Sequence, residues 1–462
     1  MGWGLITLTH VCHRWRTIFI SRSSLWSCLD CKNVDKTRTY IERSKAGPLN
    51  ICLRDPQGDP YTTKEAVLLA VPRMNRLKYL TIMTNGPADI LDYFDCRAPS
   101  LEKLEISLNA FPPPVLSDAL LGGDLSSLRE LSLAGVITRL AWKDLSNLTT
   151  LTLRRIPLNR ISVTQLLDFF ESAPLLHTIV LVNSLPLSSN APPARTVSLN
   201  NLKKLSIDTK PPHSILLNHL SIPTGALLVL EFEFGGDASS FLNYFPKPSK
   251  DIKPLSPITA INLLFDVVEK LLRLDGPSGG TYIFGHRTSG WNTPSHTVDR
   301  RILQSLDQSI LSTTKRLAIS KLKLPTPVRV DKCQAFRTLY SLTDLCVLTL
   351  TRCHNLPFIL ALDPRRTPSN LVTCPKLEEL VLYIEEPNGF HITEMLDMVE
   401  ARALRGAKLS SIMIVGLGEL MPGKEAFKLR KHVTRVDYRV EDVPPDWDIL
   451  PGEVSYGDYM DE

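Results

Sequence analysis

The sequence predicts an α/β chain made by stacking one short unit: a strand, a turn, an outer return segment, and the next strand beside the first. Two observations predict it. The stretch Leu345–Leu356, LCVLTLTRCHNL, places apolar residues at Leu345, Leu348 and Leu350, then Cys353 and Leu356. That spacing fits neither a helix face nor strict strand alternation over the whole stretch. It fits a chain that enters a strand at the first leucine and turns out of it after the third. The second observation is that the unit recurs along the chain.

The core triplet returns as Leu77–Leu80–Ile82, Leu101–Leu104–Ile106, Leu128–Leu131–Leu133, Leu148–Leu151–Leu153, Leu176–Ile179–Leu181 and Leu202–Leu205–Ile207. It returns again as Leu227–Leu230–Phe232, Ile258–Ile261–Leu263, Leu377–Leu380–Leu382 and Leu409–Ile412–Ile414, with Val433–Val436–Tyr438 as a degenerate last copy. Asn85 follows the first of these, and Asn109 and Phe111 follow the second. One match means little in a leucine-rich chain. About a dozen, with most starts about 20–32 residues apart, make a repeat array. The pattern resembles the leucine-rich-repeat signature, in which a Cys or Asn buried at the turn bonds open backbone groups of the neighbouring copy. The resemblance implies an α/β solenoid, with a curved parallel sheet inside and helices or irregular segments outside. A repeat array grows as one continuous stack, so 462 residues need not mean several domains.

Composition narrows the classes. A hydrophobic share of 43% and a charged share of 22% are those of a soluble globular protein. The net charge of +5 is small for this length and gives no reason to expect nucleic acid or an anionic membrane. No run of about 18 uncharged apolar residues is present, so no transmembrane helix is expected. Trp3–Leu8 is apolar but runs into His10, His13, Arg14 and Arg16, unlike a signal peptide. Nine scattered cysteines read as reduced thiols of the cytoplasm or nucleus.

The N-terminal segment is not a repeat. Val11, Trp15, Ile18 and Phe19 share a face at helical spacing, Ser21–Ser24 breaks the helix, and Leu25, Trp26 and Leu29 form a second apolar cluster. Val11, Cys12, Trp15, Arg16, Leu25, Trp26 and Leu29 match the C-terminal half of an F-box, and residues 1–31 resemble that family over about 20 residues. The Leu-Pro helix that opens the family's motif has no match ahead of residues 9–29, which only Met1–Leu8 precede. The stretch YIERSKAGPLNICL adds a resemblance to F-box-like repeat proteins of mushroom-forming fungi. The resemblance implies docking to a Skp-family adaptor of a cullin–RING ubiquitin ligase, with Val11, Trp15, Leu25 and Trp26 as candidates for the contact or for the packing behind it. Residues 32–61 are a connector. In it, Asp35–Lys45 reads as a helix stopped by Gly47–Pro48, and Leu49–Leu53 as a strand.

The array is expected over residues 62–440. Candidate helices are Thr62–Val71, Val163–Ser172, His213–Leu220, Arg301–Leu311 and Thr393–Leu404. Pro72, Pro99, Pro174, Pro223 and Pro375 punctuate returns to the sheet, because proline ends a helix and biases its predecessor toward extended backbone. Leu274–Asp299, rich in Gly, Ser, Thr and Pro, carries no triplet and reads as an inserted loop. Residues 441–462 form an acidic tail with eight carboxylates and no Lys or Arg, after the basic segment Lys424–Arg439.

No catalytic constellation emerges, and no cofactor or metal is expected. His10, Cys12, His13, Cys28 and Cys31 have metal-like composition, but a small helical cap with Cys12 inside is the preferred reading. Cys353 beside His354 suggests a nucleophile and base. Adjacent residues on an extended segment point to opposite sides, though, and Cys353 holds the repeat's own cysteine position. GPSGG at Gly276–Gly280 lacks the ending of a phosphate loop. If the triplets point inward, the exposed strand positions include Tyr79, Lys103, Glu105, Thr152, Lys204, Glu231, Glu233, Glu379 and Tyr383. Their mixed signs suit a protein or peptide better than a phosphate backbone. The expected function is substrate recognition for a Skp–cullin–F-box ligase. The alternative is a stand-alone interaction scaffold with no ligase role.

Overall fold

Leu80, Leu104, Leu131, Leu151, Ile179, Leu205 and Leu228 stand opposite one another on successive parallel strands. All are buried. They belong to a computed structural model that describes residues 3–54, 60–84, 88–138, 145–156, 162–184, 195–208, 214–223, 225–234, 259–265, 269–275, 280–287, 311, 313–320, 339–351, 353–367, 371–384, 391–417 and 424–441. The fold is α/β, with extensive parallel sheet and several helices. The chain divides into two compact units. One is formed mainly by Met1–Glu233, the other mainly by Pro257–Pro277 and Ile283–Glu462.

In the first unit the strands are β1 (Cys28–Leu29), β2 (Leu49–Arg54), β3 (Leu77–Thr84), β4 (Lys103–Leu108), β5 (Glu130–Ala134), β6 (Thr150–Arg154) and β7 (Thr178–Val182). After the short β8 (Val197–Ser198) come β9 (Lys204–Asp208), β10 (Leu220–Ser221) and β11 (Leu227–Phe234). Strands β1 to β7, then β9 and β11, pair in parallel in that order, while β8 and β10 form a separate parallel pair. Burial alternates residue by residue along β4, β6, β7 and β9, so one face of these strands is core and the other meets solvent.

Entry into β4, β5, β6, β7 and β9 uses the same turn. The N–H of the first triplet residue donates to the carbonyl three residues back: Leu101 to Ala98, Leu128 to Leu125, Leu148 to Leu145, Leu176 to Ala173 and Leu202 to Leu199. Exit is also repeated. Gly135, Arg155 and Asn183 follow β5, β6 and β7 with positive φ, and each donates its N–H to the next strand's last carbonyl. Gly135 is required there, because a Cβ would lie 1.9 Å from the Leu108 carbonyl oxygen.

Helices fill the return segments of this unit. They follow α1 (Trp3–Leu8), α2 (His13–Ser21) and α3 (Val34–Ser44) and comprise α4 (Pro60–Ala70), α5 (Val163–Ser172) and α6 (Ser214–Leu217). Helix α5 has the expected bounds. A capping box between Ser162 and Gln165 starts it, and Leu166, Leu167, Phe169 and Phe170 bury its inner face. Other returns are 3₁₀ turns, such as Val71–Arg76 with Pro72 at its start.

The second unit holds β12 (Ala260–Phe265), antiparallel to β13 (Glu269–Asp275), then the part of β14 (Gly280–Arg287) from Ile283 onward and β15 (Arg316–Ser320). After β16 (Val347–Thr351) come β17 (Glu379–Ile384), β18 (Ser411–Leu417) and β19 (Arg435–Glu441). Strand β12 pairs in parallel with β15, and β15 to β19 continue in order. Helices α7 (Asn355–Leu362) and α8 (Ile392–Leu404) lie between strands. No helix among the described residues is long and apolar enough to cross a membrane.

Several expectations are corrected. In β11, Leu228 rather than Leu227 pairs with Leu205, and Leu227 is only half-buried. β15 is a copy without a leucine at its first position: Thr314 is fully buried and makes the entry turn to Leu311, followed by buried Leu317 and Ile319. Leu274–Asp275 and Gly280–Arg287 are strand, not loop. The rest of the expected insertion, residues 301–310 of the expected helix, Asn85 and the tail beyond Glu441 lie outside the described residues. Val11 lies in a turn ahead of α2 rather than on a continuous helix, and Cys12 is exposed, not interior. Asn109 and Phe111 are exposed instead of closing their copy.

Candidate functional site

Two places collect the side chains that the sequence singles out. The first is the N-terminal segment. Trp26 is fully buried; its Nε1 donates to the Phe19 carbonyl at 2.8 Å, its ring meets Tyr40 edge-on at 5.0 Å, and the Arg43 guanidinium lies 4.4 Å from the ring centre. Burial pushes the Tyr40 hydroxyl pKa upward. Arg16 Nε donates to the Thr9 carbonyl at 2.8 Å, holding the turn between α1 and α2. Lys36 pairs with Asp30 beside this cluster. Trp26 is therefore packing, as Leu29 is, and Leu25 is half-buried. Outside, Val11 is 60% exposed, Trp15 45% and Ile18 49%. On α2, Trp15 and Ile18 are one turn apart on the same face, and Val11 precedes Trp15 by four residues.

The second place is the solvent face of the strands. Register brings the predicted positions into rows. In the first unit Tyr79 stands beside Lys103, then Glu130, Thr150, Thr178 and Lys204. Glu105 stands beside Ser132, then Thr152. Lys103 reaches Glu130 at 3.0 Å, and the Thr81 hydroxyl donates to Glu105 at 3.4 Å. Tyr79 is exposed, and Lys103, Glu105, Thr152 and Lys204 are half-buried. Glu231 and Glu233 lie on β11, but their side chains fall outside the described part of that strand.

In the second unit the register places Arg316, Val347 and Glu379 side by side on β15, β16 and β17. Adjacent strands are about 4.8 Å apart, so the backbones carrying this cation and carboxylate stand about 10 Å apart across Val347. A depression of about 380 Å³ opens here, lined by Ala260, Arg316, Ala318, Val347, Thr349 and Glu379. The alanines leave the space; the guanidinium, carboxylate and hydroxyl supply donors and acceptors around an apolar floor. Such a site can hold an extended peptide with charges of both signs. Tyr383 lies further along β17, beside Thr351 and Val415. Glu379 is among the positions expected from the sequence and Arg316 is not, because Thr314 hides its copy.

The other candidates separate. The Cys353 thiol donates to the Ile319 and Thr351 carbonyls, both at 3.2 Å, which is a backbone tie between strands. Cys374 is buried, its thiol donates to the Leu339 carbonyl at 3.2 Å, and burial pushes its pKa up to about 12. The Cys31 thiol is likewise pushed up to about 12 by burial. Arg402 is fully buried and donates to the Thr373 and Cys374 carbonyls at 2.6 and 2.9 Å; burial lowers its pKa. Among the described residues, no group of three or more His, Cys, Asp or Glu is placed to hold a metal ion.

Fold and site together define a class: an α/β protein whose parallel strands bury one face and present a mixed polar face to solvent. No family model matches the chain, and no curated protein matches it in sequence.

Proposed function

We propose that the chain is the substrate-recognition subunit of a Skp–cullin–F-box type ubiquitin ligase. In this reading the strands form a leucine-rich-repeat solenoid that binds a protein substrate, and residues 1–31 form a partial F-box-like segment that docks to the Skp-family adaptor. The ligase assembly would transfer ubiquitin, and this chain would contribute proximity. The observation that carries the reading is the apolar surface of α2. Trp15 and Ile18, with Val11 before them, are exposed, while Trp26, whose Nε1 donates to the Phe19 carbonyl of the same helix, packs against Tyr40 and Arg43. A tryptophan held half in water is a typical interface anchor.

A second reading, a stand-alone interaction scaffold, has its own support: Trp26 and Leu29, two of the motif residues, are consumed by internal packing. Calorimetric titration of the full chain with a purified Skp-type adaptor separates the two. The ligase reading expects saturable binding that weakens by at least about tenfold in Trp15→Ala and in Ile18→Ser, with unfolding midpoints unchanged. Absence of heat at ~100 µM of each partner, which bounds the affinity as weak, leaves the scaffold reading.

A further inference from the structure

A cation and a carboxylate one strand apart reach each other in this fold. Lys103 on β4 meets Glu130 on β5 at 3.0 Å. Lys78 and Glu102, near the starts of β3 and β4, meet at 3.1 Å, and Lys376 and Asp344, ahead of β17 and β16, at 2.7 Å. The strand spacing of about 4.8 Å explains this, because a long side chain spans one step. Arg316 and Glu379 stand two steps apart, with Val347 between them. Among the described residues neither makes an ion pair; Arg316 is exposed and Glu379 half-buried. Further along the same row come Ser411 and Arg435, and Arg435 is already taken by Asp437 at 2.6 Å.

The neighbours make room for a ligand. Ala260 stands beside Arg316 on β12, and Ala318 follows Arg316 two residues along β15. Alanine is a poor strand residue, and here two of them line the depression beside the guanidinium, with Val347 and Thr349. Charge selects the occupant. The guanidinium fork matches a carboxylate, and Glu379 matches an ammonium or a second guanidinium. A phosphate backbone gains at Arg316 and is repelled at Glu379. A polycation meets the reverse, and only a ligand with one charge of each sign gains at both ends. In an extended peptide, side chains two residues apart share a face and lie about 7 Å apart, which fits within the roughly 10 Å between β15 and β17.

We propose that Arg316 and Glu379 are a specificity-determining pair for an extended protein segment that carries an acidic and a basic side chain two residues apart. The segment lies across β15, β16 and β17, with its acid at Arg316 and its base at Glu379. The proposal rests on the reading that this face binds a protein, and it holds for ligase subunit and scaffold alike. The test is selection of a displayed library of random short peptides on the full chain, on Glu379→Lys and on Arg316→Glu, with the affinities of enriched peptides measured by fluorescence anisotropy. The parent should enrich peptides with an acid and a base two residues apart. Glu379→Lys should switch the selection to paired acids and Arg316→Glu to paired bases, each losing at least about tenfold in affinity for the parent's peptides. Glu379→Gln, which keeps the shape, should remove the requirement for a base without creating one for a second acid. Urea unfolding of the variants should match the parent, because neither side chain gives up an ion pair. Enriched peptides without the acid and base, or a preference that neither charge reversal moves, overturn the proposal while leaving the face a binding surface. No enrichment on the parent overturns both.

Discussion

The Cys353 thiol donates a hydrogen bond to the main-chain carbonyl of Ile319, 3.2 Å away on the neighbouring strand. This bond accounts for the cysteine without chemistry at the sulfur. Cys353→Ser keeps a donor and is expected to be near neutral. Cys353→Ala removes it and should cost about 1 kcal/mol, the usual net worth of such a bond. Urea unfolding measures both. A loss above roughly 3 kcal/mol in the alanine variant would mean that Cys353 supports more than one strand tie.

Leu317 stands between Ile261 and Leu348 in the parallel register of the second unit, and it is buried. Leu317→Ala should therefore destabilise as much as Leu348→Ala, by about 2–5 kcal/mol each. Arg316→Ala, on the opposite face of the same strand, should stay within about 0.5 kcal/mol of the parent. Equal, small effects at Leu317 and Arg316 would remove the assignment of β15 as a copy of the repeat.

Gly135 combines a φ of 64° with a backbone oxygen 1.9 Å from where a Cβ would sit. Gly135→Ala is expected to cost about 2–4 kcal/mol through strain and displacement of β4, more than the roughly 1 kcal/mol of left-handed backbone alone. Arg155 follows β6 with a φ of 51° as a non-glycine residue. Arg155→Gly should be neutral or stabilising there. Thermal or urea unfolding of the two variants should thus give effects of opposite size and sign.

Buried thiols set a pH dependence. Cys31 and Cys374 are raised from an ordinary 9.0 to about 12, chiefly by desolvation. In the unfolded chain they ionise near their ordinary value. The stability they contribute is fully present below pH 9 and is lost as pH rises through about 12. Each adds a slope of about 1.4 kcal/mol per pH unit across that window. The unfolding midpoint should fall above pH 9, and less so in Cys31→Ala/Cys374→Ala. At neutral pH, iodoacetamide should modify exposed Cys12 before either buried thiol, as mass spectrometry of timed samples would reveal.

Much of the strand pattern is legible in the residues. Leu104 and Ile106, or Leu151 and Leu153, alternate with polar neighbours, and a two-residue period is a local property that needs no partner strand to be read. Where alternation blurs, reading fails. Leu227-Leu228-Val229-Leu230 offers two registers, and only pairing with β9 selects Leu228. Thr314 supplies no leucine, yet its backbone makes the same entry turn as its neighbours. The strands at 269–275 and 280–287 sit in or beside a Gly- and Ser-rich stretch that resembles a loop in composition. Phe111 fits the motif position that should be buried, and the prolines after it lead the backbone out instead.

The sequence by itself determined the unit in most copies: the alternation that sends Leu104 and Ile106, or Leu151 and Leu153, into the core, and the apolar character of Trp26 and Leu29, both buried. These follow from spacings of a few residues, which local geometry alone converts into faces. Only the tertiary structure decided which units stand side by side. It set Arg316 and Glu379 on either side of Val347, buried Trp26 while leaving Trp15 in water, and turned Phe111 outward. Each of these depends on backbone pairing or packing between segments far apart in the chain. A shift of one residue in such pairing moves every side chain of a strand to the other face.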